Sequence, residues 1–304
     1  MADSISPRRR SRSRRWFNHL WREWTSERAR PIAPAFARPQ PAGWDDSRLT
    51  LAWLGHSTVL INFFGVNILT DPVLFPRIGI RLPGFTIGPK RLTAAALEVS
   101  ELPRIDLVLL SHAHFDHFDL RTLHRLASSA MVITANSTSD LLRWTRFREI
   151  RELRWNQETE IHYGHAALKV RAIRVQHWGA RLRRDYFRGY NGYVLERNNR
   201  RIVFGGDTAQ TDSFAQLNDG RRFDLAIMAI GAYDPWIRSH ATPEQVVAMC
   251  NQAAVEYIVP VHHQTFRLSS EPFREPIERF EAALKNEPRR IALREIGQTF
   301  QLPG

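Results

Sequence analysis

The sequence predicts an α/β protein in which sheets are covered by helices. Two observations carry this. Predicted strands come first as a meander and then alternate with helical segments. Several of those strands end on histidine or aspartate, the edge where open α/β sheets gather ligand groups. At 304 residues the chain is long enough for one large domain or two modest ones, and neither a repeat nor a second boundary divides it.

Residues 1–45 read as a basic, proline-rich tail and residues 46–304 as the body. Arg8 to Arg15 is a Ser/Arg run expected to be solvated. Trp16, Phe17, Leu20, Trp21 and Trp24 follow at helical spacing, interleaved with Arg15 and Arg22. Such a face suits peripheral contact with an anionic membrane or packing on the body, and spacing leaves both open. Ser13 to Phe17 has the look of a twin-arginine export signal. His19, Arg22, Glu23, Glu27 and Arg28 interrupt the apolar region that must follow, which argues against export. Pro31 to Pro41 contains four prolines and reads as an extended linker.

Leu49–Leu54 and Thr58–Phe63 read as strands around Gly55-His56-Ser57, and Gly65 turns the chain into a strand at Val66–Thr70. Asp106–Leu110 is the short apolar run of a strand buried on both faces. Leu120–Ala127 reads as a helix, Met131–Thr134 as a strand and Ser137–Trp144 as a helix. Ala167–Val175 alternates as a half-exposed strand does. Asn191–Glu196 and Arg201–Gly205 form a hairpin with Asn198-Asn199 at its turn. Asp224–Ile230 is a buried strand. Thr242-Pro243-Glu244 starts a helix as N-cap, first-position proline and first-turn carboxylate. Glu256–Val261 is a strand, Pro272–Leu284 a helix, and Ile291–Leu302 is strand-like.

Composition removes several function classes. No apolar run approaches the roughly 20 residues of a membrane span. The single cysteine, Cys250, excludes an internal disulfide and Cys-ligated metal clusters, and fits a cytoplasmic setting. The net charge of +12 invites nucleic acid, yet only Lys90, Lys169 and Lys285 among 43 basic residues are lysines. Nine arginines against Asp3, Glu23 and Glu27 put +6 of the charge into residues 1–30. The body is only mildly basic, so no specific nucleic-acid partner is expected.

The histidines are the most informative feature. His112, His114 and His117 fall within six residues, with Asp116 between them, where the strand Asp106–Leu110 ends. In extended chain His112 and His114 point the same way, and the turn that follows aims Asp116 and His117 at a neighbouring point. Imidazoles and a carboxylate are the donor set of zinc, iron or manganese. Four such groups buried together without an ion would leave costly unmet hydrogen bonds. His177, Asp207 and the pair His262-His263 close three further predicted strands.

His-x-His-x-Asp-His is the signature of the metallo-β-lactamase fold superfamily, and this sequence resembles a member. Trp53 to Thr58, Leu69 to Pro72, Gly88 to Arg91, Gln176-His177-Trp178, Gly231 to Pro235 and His262 to Phe266 are similar to N-acyl-phosphatidylethanolamine-hydrolysing phospholipase D and its bacterial relatives, which include ascorbate-6-phosphate lactonases. The resemblance covers about residues 49–270. It implies a four-layer αβ/βα sandwich with two metal ions, zinc or else iron or manganese, at its edge. His112, His114 and His177 would hold the first ion, Asp116, His117 and His262 the second, and Asp207 would bridge them. His262 rather than His263 fits the resemblance, being four residues before Phe266.

The implied chemistry is hydrolysis by a metal-bridging hydroxide, oriented by Asp116, acting on a phosphodiester or related ester. A small-molecule or lipid-derived ester is the expected substrate, and phospholipase D-like action on N-acylated phospholipids the finer expectation. Asp71 is expected to hold the ligand loop by hydrogen bonds. The resemblance places His240 near the ions, where it would protonate a leaving group or bind substrate, and His56 at the margin. Arg77, Arg81, Lys90 and Arg91 flank an apolar loop, Phe75 to Ile87, suited to an amphiphilic anion. A lactonase or nuclease of the same fold is the alternative among enzymes. A non-catalytic membrane- or nucleic-acid-binding protein is the alternative outside them, but its expected signature is a damaged ligand set, and all seven ligands are present.

Overall fold

The computed structural model describes residues 29–126, 130–164, 166–182 and 185–303. Two sheets lie face to face. The first runs β15 (Thr299–Gln301), β1 (Leu49–Gly55), β2 (Thr58–Phe63), β3 (Asn67–Thr70), β6 (Leu107–Leu110), β7 (Met131–Ala135), β8 (Glu149–Leu153). The second runs β14 (Val255–Val261), β13 (Phe223–Ala229), β12 (Arg200–Phe204), β11 (Gly192–Arg197), β10 (Ala166–Ile173), β9 (Glu158–Tyr163). β3, β6, β7 and β8 pair in parallel, as do β12, β13 and β14, and the remaining pairs are antiparallel.

One apolar core joins residues of both sheets, from Leu51, Trp53 and Leu109 to Val170, Leu195 and Ile227. A second lies between the second sheet and helices α2 (Pro243–Gln252) and α3 (Glu275–Ala283), where Val203, Ala226 and Ile258 meet Val246, Cys250 and Phe280. Leu123 at the end of α1 (Leu120–Leu123), Leu97 and Leu142 join the core of the first sheet, whose interior strand β6 is buried throughout. Layers of helix, sheet, sheet and a thinner helical and irregular cover give the expected α/β sandwich.

Local chemistry explains most element bounds. Thr242 and Gln245 cap α2 reciprocally, with Pro243 at its first position. Asp119 accepts the N–H groups of Arg121 and Thr122 and so starts α1, which ends at Leu123 rather than Ala127. Asn198 and Asn199 both take positive φ, as a tight hairpin turn requires. The expected helix over Ser137–Trp144 is only a 3₁₀ turn, Ser139–Leu142, and of Ile291–Leu302 only Thr299–Gln301 pairs as a strand. The pattern reading missed β8 and β9 because both are edge strands with Glu, Arg and His facing water. It also missed the hairpin β4 (Ile80–Leu82) and β5 (Phe85–Ile87) inside the apolar loop.

The segment 30–45, expected within the tail, is fastened to the body. Arg30 donates to the carbonyls of Lys90 and Arg91. Ala33 N–H reaches Leu92 O at 2.9 Å, and Ala37 N–H reaches Ile296 O at 3.2 Å. Prolines keep this stretch extended while its alanines supply the backbone donors. Gly297 is required opposite, since a Cβ there would overlap Ala37 O. The Ser/Arg run and the tryptophans of residues 8–24 lie outside the described residues. Among the described residues no helix is long and apolar enough to cross a membrane.

Candidate metal centre

β1, β3, β6, β10, β12, β13 and β14 all deliver their carboxyl ends to one edge of the sandwich. The loops leaving them bring together every site residue expected from the sequence. His112 Nε2 lies 2.8 Å from His114 Nδ1, and His177 Nε2 lies 3.3 Å from that same atom. These three form one donor group, and Asp116, His117 and His262 form a second together with His56. A single atom, Asp207 Oδ2, stands between them. It is 3.0 Å from His117 Nε2, 3.3 Å from His262 Nε2, 3.8 Å from His177 Nε2 and 3.9 Å from His112 Nε2.

The supporting contacts set ring orientation. Asp71 accepts Ser111 N–H at 2.7 Å, Ser111 Oγ–H at 2.5 Å and His117 Nδ1–H at 2.7 Å. Ser111 Oγ also meets His112 Nδ1 at 2.8 Å, and His177 Nδ1 donates to Ser239 O at 2.9 Å. The outer nitrogens of three donor imidazoles are thereby engaged, leaving the inner ones free. Asp71 thus holds the ligand loop as expected. His56 is nearer than the margin: its Nε2 is 3.1 Å from Asp116 Oδ2, and its carbonyl accepts the N–H of His262.

Electrostatics follow from burial and from this crowding. Burial is the largest single influence and would raise Asp116 and Asp207, but the histidines around them together outweigh it, His117, His262 and His56 at Asp116 and His117, His262 and His240 at Asp207, and both fall well below the carboxylate range. Burial opposes charge on His117 and His262, yet the two carboxylates raise His117 well above its usual value and His262 to about 9. Burial chiefly drives His112 and His177 well below theirs and His114 down to about 4. The two buried carboxylates and the His117 and His262 rings thus favour opposite charge on one another.

The donor set fits a metal ion. His117 Nε2 and His262 Nε2, the ring nitrogens that face Asp207, are buried without a hydrogen-bond partner. Each such atom costs about 1–3 kcal/mol when left unsatisfied. Imidazole nitrogen with carboxylate oxygen suits zinc, iron or manganese.

Backbone strain concentrates at the same place. His56, Asp71 and His262 have φ of +53°, +32° and +64°. Side chains rarely tolerate this region, and such residues persist where surrounding bonds over-determine them. Gly206, at +57°, brings the chain to Asp207 where a Cβ would meet Ser111 at 2.8 Å. His262 faces the carboxylates, whereas His263 turns away and lies against Trp53 with ring centroids 4.6 Å apart.

His240 is buried beside His177, its Nδ1 3.9 Å from Asp207 Oδ2 and without a partner. Arg91 corrects an expectation. Instead of facing substrate it is buried, donating to the carbonyls of Val73, Phe75 and Thr93 beneath Phe266. Ile78 is buried likewise, while Ile80, Leu82, Phe85 and Ile87 of the β4–β5 hairpin are exposed. The loops flanking His177 and His240 expose Trp178, Tyr186, Phe187, Trp236 and Ile237. Arg181, which bonds the ligand loop, was not singled out from the sequence, because one arginine in an arginine-rich stretch carries no signal of its own.

Comparison with known proteins gives the family. The family model of the Beta-lactamase superfamily domain matches residues 66–263, and the chain belongs to that superfamily. It is 34% identical over 286 residues to an uncharacterized protein of Mycobacterium tuberculosis, covering 91% of this chain and 75% of that one. It is 30% identical over 248 residues to N-acyl-phosphatidylethanolamine-hydrolyzing phospholipase D 1 of Caenorhabditis elegans, covering 76% of this chain and 68% of that one. Among solved structures, an isothiocyanate hydrolase from Delia radicum gut bacteria superposes with a TM-score of 0.65 at 17% identity, covering 83% of this chain and 98% of that one. At that identity the likeness concerns the fold.

Proposed function

We propose that the protein is a metal-dependent hydrolase of phosphodiesters or related esters, with lipid-derived substrates of the N-acylated phospholipid kind as its class. The observation that carries the reading is Asp207 Oδ2, one oxygen placed among nitrogens from two donor groups. We assign His112, His114 and His177 to one ion, Asp116, His117 and His262 to a second, and Asp207 to both, with zinc the ion and iron or manganese the alternatives. When bound, such a pair supplies an acidified water and polarises a phosphoryl or carbonyl oxygen.

The chain's own groups do the rest. The Asp116 side chain is 15% exposed against 1% for Asp207, so Asp116 is the carboxylate able to meet an incoming water, orient it and accept its proton. His56 and His262 steady Asp116 Oδ2 from the protein side. Burial lowers His240 to about 4, which favours a neutral ring that binds a substrate oxygen through N–H over one that stores a proton. Exposed Trp178, Tyr186, Phe187, Trp236 and Ile237 offer apolar area for an acyl-bearing substrate. The 30% identity to a relative named for hydrolysing N-acyl-phosphatidylethanolamine supports that class.

The test is a hydrolysis screen of metal-loaded protein over N-acylated phospholipids, simple phosphodiesters, lactones and β-lactams. Release of a phosphatidate product from the lipid supports the reading. Turnover confined to lactones would replace it with the lactonase alternative.

A further inference from the structure

We propose that Arg181 is a positioning residue of the metal centre, fastening the loop after His177 to both ends of the turn that carries His114, Asp116 and His117. The inference rests on the metal-centre reading above.

One nitrogen makes the connection. Arg181 Nη1 donates to Ala113 O at 2.9 Å and to Phe118 O at 2.8 Å. Those carbonyls bracket the turn, which closes on itself only through the His117 and Phe118 N–H groups on His114 O. The guanidinium carbon also lies 4.0 Å from the Phe115 ring centroid and 5.8 Å from that of Phe118. Among the described residues no carboxylate lies within ion-pair distance of it: Asp119, Asp185 and Asp116 act on its charge from farther off, and its direct contacts are carbonyl dipoles and ring faces.

Arg181 stands four residues beyond His177, whose Nε2 shares the first donor group with His114. The far end of its loop is held separately. Arg188 grips Asp140 through two nitrogens, at 2.6 and 3.0 Å, and Gly189 N–H reaches Asn136 O at 2.8 Å. Arg181 is therefore a tie in the near half, where one guanidinium registers the His114–His117 turn against His177. Donor groups must be held to within about 0.5 Å to bind a metal well. Its hydrogen bonds and ring contacts all go to residues 113–118 of the ligand turn, so its loss should fall first on the centre.

The experiment measures zinc affinity by chelator competition, together with melting of the metal-free and zinc-loaded forms, for wild type, Arg181→Ala, Arg181→Lys and Phe115→Leu. Expected is a loss of zinc affinity of about 10–100-fold in Arg181→Ala, the usual effect of removing a group that orients ligands. Arg181→Lys keeps the charge without the fork and should lose less, as should Phe115→Leu. The metal-free Arg181→Ala protein should melt close to wild type, while its gain on zinc loading shrinks. Wild-type zinc affinity in Arg181→Ala overturns the proposal, as does an equal drop in melting for metal-free and loaded forms. Should Arg181→Ala not fold, wild-type affinity in both Arg181→Lys and Phe115→Leu overturns it. A wild-type chain that holds neither zinc nor iron nor manganese overturns the metal-centre reading itself.

Discussion

His117 Nδ1 stands 2.7 Å from Asp71 Oδ2, and that contact turns the opposite nitrogen toward Asp207, 3.0 Å away. The carboxylate selects the tautomer and the ring angle in one bond. Asp71→Asn keeps the volume and removes the charge. It should weaken metal binding by about 10–100-fold with the fold intact. Titration with a chelator checks this, and unchanged affinity would show that Ser111 and the turn orient His117 unaided.

Metal content should approach two ions per chain by elemental analysis. His112→Ala should lower occupancy of one ion, and Asp207→Ala should lower both, because Asp207 Oδ2 faces both donor groups. Full hydrolytic activity in a rigorously metal-free preparation would rule out the proposed chemistry.

His240→Ala should retain metal and lose turnover by about 10²-fold or more, the size of effect expected for a positioned hydrogen-bonding group. Steady-state kinetics alongside metal analysis separates the two. Metal lost in parallel with activity would make His240 a ligand instead.

Glu152, on β8, accepts the N–H groups of Ser137, Thr138 and Ser139 at 2.8–2.9 Å. Burial would raise its pKa, but these bonds together outweigh burial and lower it below the usual glutamate range. A group depressed in the folded state contributes stability above its unfolded pKa and loses it as pH falls through the folded value. Glu152→Gln should therefore destabilise at neutral pH by about 1–2 kcal/mol, the scale of bonds to a charged acceptor. The gap between variant and wild type should close in acid, as pH falls through the depressed folded-state value. Denaturation curves at pH 7 and pH 3 test it, and a gap independent of pH would refute the charge argument.

Deleting residues 1–28 should leave melting and turnover on a soluble ester nearly unchanged, whereas deletion through residue 40 should lower melting. The second truncation removes Arg30, Ala33 and Ala37, which bond the body. Binding to anionic vesicles should drop with the first truncation and be salt-sensitive in the full chain, each arginine near the surface being worth about 1 kcal/mol. Equal co-sedimentation of the two proteins would end the membrane proposal.

The legible part of this protein was local. His112-Ala113-His114-Phe115-Asp116-His117 states its donors within six residues, and apolar runs such as Leu107–Leu110 state the central strands, because both patterns need only neighbours along the chain. Edge strands β8 and β9 were not legible, since a strand paired on one side and wet on the other needs no apolar run. The sequence alone determined which chemistry is available and that strand ends supply it. Only the tertiary structure decided that Asp207 lies between the donor groups, that His262 and not His263 faces inward, and that Arg91 is buried while Arg181 bonds the ligand loop. Those outcomes depend on residues far apart in the chain, such as His117 and Asp207 or Trp53 and His263, meeting where two sheets close on a shared core. Strained turns at His56, Asp71 and His262 then aim side chains in directions that no periodicity encodes.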